Sequence, residues 1–189
     1  KKMFRTAVQY KAQFISMILT VMLGVGMFVG FNMEWKSIEH NMFSFFEDSN
    51  FADYRIVNER GYSEADLDKI NEIDGVDAAA RFLSVNVDVK DKDGDSVALA
   101  VTTDFRVSSF VLISGEVYDE DSADGVWLSD RYAEKNGFKV GDSISLVYKS
   151  MEISGTIKGL IMTAEQMICV RDKTQLMPDF STHGFAYIS

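Results

Sequence analysis

Apolar positions dominate residues 12–33, AQFISMILTVMLGVGMFVGFNM, where no side chain is charged. As a helix rising about 1.5 Å per residue, the run covers about 33 Å, enough for a hydrocarbon core of about 30 Å. A cleaved signal has a shorter apolar region, about 7–15 residues, ending at small residues. Gly24-Val25-Gly26 imitates that ending, but cutting there would leave Met27, Phe28, Val29 and Phe31 at a new N-terminus. The run is therefore read as a transmembrane helix.

The spacing then changes without a break. Across residues 34–50, Trp35, Ile38, Met42 and Phe45 fall at steps of three and four, with Glu34, Lys36, Glu39 and Glu47 mostly off that seam. Two readings stand: a stalk helix with coiled-coil spacing, and a helix packed on its own domain. Trp35 also suits the aromatic belt of a membrane surface. Before the span, Phe4, Val8 and Phe14 alternate with basic residues, the pattern of a short interfacial helix on the cytoplasmic side.

From residue 51 onward, the pattern is that of short strands and helices. DYRIVN reads as a first strand. Ser63 caps a helix with Leu67, Ile70 and Ile73 on one face, closed by Asp74-Gly75. FLSVNVDVK and SVALAVT alternate with period two around DKDGD, a hairpin signal. A short strand leads to Ser129 as the cap of a second helix, which Gly137 ends. Val140-Gly141-Asp142 turns into SISLVYK, and MEISGTIKGLI pairs back. The tail offers MICVR, a short helix around DKTQLM, and FAYIS as a returning strand. The fold class is thus α+β: one N-terminal transmembrane helix extended by a stalk, then a mixed α/β exported domain with a small β-rich lobe. The boundaries are 1–11 for a basic cytoplasmic N-terminus, 12–33 for the span, 34–50 for the stalk and 51–189 for the exported domain. The initial Lys and the unfinished final strand point to part of a longer gene product.

Charge orients the chain. Of 19 basic residues, Lys1, Lys2, Arg5 and Lys11 precede the run, and all 29 acidic residues follow it. Positive charge on one flank places the N-terminus in the cytoplasm and the part after about residue 34 outside. So acidic an exterior argues against nucleic acid as a partner. The lone Cys169 cannot form an internal disulfide and is read as a small buried hydrophobe.

Chemistry is sparse. Gly24, Gly26 and Gly30 miss the dinucleotide fingerprint by one position and lie at membrane depth. They are read as a helix-packing face, or as the ordinary frequency of glycine in membrane helices. DKDGD lacks the acidic pattern of a calcium loop, with Thr102 where the closing Glu should stand. YDEDSAD is a solvated acidic loop, and Met162, Met167, Cys169 and Met177 read as core filler rather than a copper site. No phosphate-binding loop, nucleophile elbow or zinc motif occurs, and His40 and His183 assemble no triad. No cofactor, metal or catalytic residue is assigned, and no enzyme is indicated.

The run ISGEVYDEDSADGVWLSDRYAEKNGFKVGDSISL resembles the extracytoplasmic core domain of MacB/FtsX-like ABC transporter permeases. The basic N-terminus, QFISMILTVMLGVGMFVG, the EW at its exit and ADYRIV are similar to the start of long FtsX-like permeases of Gram-positive bacteria. The resemblance implies a non-enzymatic permease subunit in a bacterial cell membrane, working with a separate cytoplasmic ABC ATPase and a second permease copy or paralogue. It implies that nucleotide-driven closure reaches the outer domain through the stalk, residues Trp35, Ile38, Met42 and Phe45, to handle or export a peptide, lipid or lipoprotein. The alternative class is a single-pass receptor or adhesion protein with an acidic ligand-binding ectodomain.

Overall fold

The computed structural model describes residues 10–119, 121–171 and 174–188. Contacts divide the chain into two units, residues 1–45 and 46–189. A single helix, α1 (Lys11–Asp48), runs without interruption through all of the described first unit and into the second. At 38 residues it is about 57 Å long. Proline is absent from it, so nothing removes a backbone donor along its length. The interfacial helix expected before the span falls mostly on residues 1–9, outside the described residues.

The second unit is built on one sheet of seven strands: β1 (Phe82–Val89), β2 (Ser96–Thr102), β3 (Phe110–Gly115), β4 (Gly125–Ser129), β5 (Ser143–Tyr148), β6 (Met151–Thr163) and β7 (His183–Ile188). Their order is β3-β6-β4-β7-β2-β1-β5, and β5 also pairs with β6, so six strands close into a ring with β3 attached outside it. The long β6 makes this possible. Residues 151–156 pair with β5 and residues 159–163 with β3. The β1–β2 hairpin and the β5–β6 hairpin form as their period-two alternation predicts, and FAYIS returns as β7. Strands from both expected lobes share this one ladder.

Alternation sorts side chains onto two faces. Val87, Val97, Leu99, Val126, Leu128, Ile144, Leu146, Ile157 and Ala186 form one buried cluster, to which all six ring strands contribute. The cluster therefore fills the ring. Helix α3 (Asp130–Asn136) adds Tyr132 and Ala133 to it. Tyr132 fits because residue 184 is glycine: a Cβ there would lie 2.6 Å from the tyrosine Cβ. Its hydroxyl donates to Asp95 at 3.0 Å. The opposite face carries Trp127, Phe185 and Tyr187 with Phe82, Phe105, Phe110 and Tyr118. Ring centroids there lie 4.5 Å apart for Phe105–Tyr118 and 4.6 Å for Tyr118–Trp127. Trp127 donates its indole N–H to the Glu116 carbonyl at 3.0 Å, so its burial leaves no orphaned donor.

Four expectations change. DYRIVN forms no regular element and joins no ladder, and Tyr54 and Val57 are 90% and 83% exposed. Apolar alternation predicts a strand, yet a strand also needs a partner edge, which the described residues do not offer here. Helix α2 (Glu64–Asn71) has the full capping box between Ser63 and Asp66, but buries none of its residues. Ser129 stands at the N-cap of α3 without accepting a hydrogen bond there, because it is also the buried last residue of β4. The expected helix around residues 172–177 includes two positions outside the described residues, and Thr174 to Met177 form turn and bend.

Candidate functional site

The first component is α1, a helix long and apolar enough to cross a membrane. Its polar side chains turn back on the helix itself. Thr20 Oγ1 donates to the Ser16 carbonyl at 2.9 Å, and Asn32 Nδ2 to the Phe28 carbonyl at 2.8 Å. Such back-bonding gives Thr20 and Asn32 each a donor bond within the helix itself. Beside Gly24, Gly26 and Gly30 the helix surface is open, with no atom beyond the helix's own backbone within 4 Å of where a Cβ would stand. Trp35, Ile38 and Met42 of the apolar seam are exposed, and Phe45 is half-buried.

The second component lies where α1 ends, wholly within residues 46–189. Phe51 stacks on Phe46 at 4.9 Å and donates its N–H to the Phe46 carbonyl. The chain then crosses residues 108–109. The buried Ser49 accepts through its carbonyl from both the N–H of Ser109, at 2.8 Å, and its hydroxyl, at 3.0 Å. The Asn50 carbonyl accepts from the Ser108 N–H at 2.7 Å. Ser108 Oγ accepts from the Ala52 N–H at 3.2 Å and donates to Glu165 Oε1 at 2.5 Å. The other oxygen of Glu165 meets Arg55, whose guanidinium also lies 4.9 Å from the centre of the Phe82 ring. With its side chain only 9% exposed, the Glu165 carboxylate is held by partners on two segments. A carboxylate this buried is tolerable only when both oxygens are satisfied.

On the far side of this joint, Ser108 and Ser109 sit between two aromatic residues packed on the sheet. Phe105 and Phe110 contact each other at 5.2 Å and belong to the outer cluster of the sheet. Glu165 lies in a 3₁₀ turn (Ala164–Gln166) directly after β6. No local pattern announces this arrangement. Serines and a glutamate scattered over 49–165 have no shared spacing, and only the fold brings them together.

A family model for the MacB-like periplasmic core domain matches residues 14–185. The chain belongs to that family. No curated protein matches the sequence. As a MacB-like chain it is a membrane protein of the ABC transporter permease type with an extracellular domain, and the family is one of transporters rather than classical enzymes. The resemblance drawn from ISGEVYDEDSADGVWLSDRYAEKNGFKVGDSISL thus identifies the right family.

Other reactive side chains of the MacB-like domain are structural. Cys169 is buried and free, and burial pushes its thiol up to about 12, far from a nucleophilic thiolate. Its Sγ lies 3.4 Å from the Gly184 carbonyl. His183 is buried, with Nδ1 2.8 Å from Ser96 Oγ; burial and then the charge of Arg171 hold it below the ordinary histidine value of 6.5. Met167 and Met177 are exposed while Cys169 is buried, so these soft atoms do not share one environment.

Proposed function

We propose that the chain is a permease subunit that couples a separate cytoplasmic ABC ATPase to movements of its exported domain, which handles or exports a peptide, lipid or lipoprotein substrate. The observation that carries this reading is the continuity of α1. At about 57 Å the helix exceeds a hydrocarbon core of about 30 Å by several turns and continues into the folded unit without a break. A passive anchor needs only the span. A helix that continues past the span is suited to transmit displacement.

In this reading residues 1–11 are cytoplasmic, 12–33 cross the bilayer, 34–50 form the stalk, and 51–189 lie outside. The basic N-terminal flank supports that orientation. Gly24, Gly26 and Gly30 form the face on which another helix packs, from the same assembly or a second permease copy, since small residues let backbones approach where no hydrophobic force distinguishes helix from lipid. Trp35, Ile38, Met42 and Phe45 form the working seam of the stalk. Within the family, the start of the chain is most like the long FtsX-like permeases of Gram-positive bacteria.

The experiment is purification of the full-length protein from its native membrane. The account expects an ABC ATPase to co-purify and its ATP turnover to rise when the permease is present. Recovery without any such ATPase would favour the single-pass receptor.

A further inference from the structure

Four non-glycine residues hold left-handed backbones: Asn50 (φ 45°), Asp91 (φ 63°), Ser108 (φ 55°) and Lys149 (φ 55°). Asp91 and Lys149 lie in the turns of the β1–β2 and β5–β6 hairpins, where such angles are expected. Asn50 ends α1 as its C′ residue, its N–H on the Glu47 carbonyl and the Phe51 N–H on the Phe46 carbonyl, a position where asparagine readily takes a left-handed angle. Ser108 is neither in a hairpin turn nor at a helix cap, and its N–H donates to the Asn50 carbonyl at the end of α1. Backbone strain at such a serine persists where surrounding contacts over-determine it, and here those contacts are its own bonds to Asn50, Ala52 and Glu165 and the Ser109 bonds to Ser49.

We propose that this joint, with Ser108 and Glu165 as its positioning residues, sets how displacement of α1 reaches the sheet. The inference rests on the transporter reading and specifies its point of transmission. The segment leaving α1 has few other fixings nearby: Tyr54, Ile56 and Val57 are exposed, and α2 buries nothing. On the opposite side the joint is continuous with β3 through Ser109 and with β6 through Glu165. Rotation of the last turn of α1 therefore acts on β3 and β6 together, the two strands joined outside the ring.

Two substitutions separate transmission from folding. Ser108→Gly adopts the positive φ at no steric cost but loses the hydroxyl that links Ala52 to Glu165. Asn50→Gly keeps the left-handed end of α1 and leaves that link intact. The test uses the full-length permease with its ATPase in lipid nanodiscs, spin-labelled at Lys36→Cys and Ser150→Cys, both exposed, while the native Cys169 is buried and escapes labelling. A non-hydrolysable ATP analogue should shift the distance distribution in the parent and in Asn50→Gly. It should leave Ser108→Gly and Glu165→Gln unshifted, with ATP hydrolysis retained and the Ser108→Gly domain still melting as one cooperative unit, at a temperature lowered by loss of the Glu165 hydrogen bond. A purely structural role predicts a normal shift in Ser108→Gly, and that result would overturn the proposal. Should Glu165→Gln fail to fold, Ser108→Gly alone decides. Absence of a shift in the parent with ATPase bound would remove the lever reading itself, and the joint with it.

Discussion

The chain uses the same apolar residues in two opposite ways. In residues 12–33 Leu, Val, Met and Phe are all exposed, and none of the described residues covers them. In the ring, Val97, Leu128 and Ile157 are fully buried among side chains from every other strand. The first pattern makes sense only with hydrocarbon as the solvent; the second provides its own. Within residues 46–189, the joint at residues 49–55, 108–109 and 165 is polar. There the segment after α1 meets the chain before β3 and the turn after β6 through directional bonds.

The sharpest way to break the comparison is to cut into the sheet. Trp127→Ala removes the indole at the centre of the outer aromatic cluster and should destabilise the domain by about 3–5 kcal/mol, read by denaturant unfolding of the full chain in detergent. Gly184→Val should cost less, about 1–3 kcal/mol, because its side chain must displace Tyr132 from the ring. Next comes pH. His183 has a folded value below 6.5, so the unfolded chain takes up its proton first as pH falls. Stability present above pH 6.5 should decline towards the lowered folded value, and His183→Asn should reduce that slope in thermal melts. Smaller still, Ser63→Ala should speed hydrogen exchange at the Asp66 amide while leaving the melting of the sheet unchanged, since α2 buries no residue. At the bottom, Leu23→Ala in the span should leave domain stability as it was. A loss comparable to that of Trp127→Ala would show that the two regions are not energetically separate.

How much was legible follows the same division. The span could be read because its signal is local: a long uncharged run needs no partner to be recognised. The hairpins and the two capped helices were legible for the same reason, through alternation and turn residues. Ring closure was not, because β5 meets β1 through only Asp88–Val147 and Val89–Leu146, a pairing that no spacing announces. DYRIVN misled because its alternation is genuine while its partner edge is missing among the described residues. The helix-face glycines and the 35/38/42/45 seam were visible as patterns. The joint was invisible, since Ser49, Ser108 and Glu165 acquire meaning only when β3 and β6 bring them to the end of α1.

The most direct test of the account is a break in the helix between the two regions. Met42→Pro removes a backbone donor and inserts a clash within the seam, while lying outside the folded unit of residues 46–189. In the full-length protein reconstituted with its ATPase, the account predicts that ATP hydrolysis continues, the domain melts as before, and ATP-driven function is lost. Normal coupled function in Met42→Pro would contradict it.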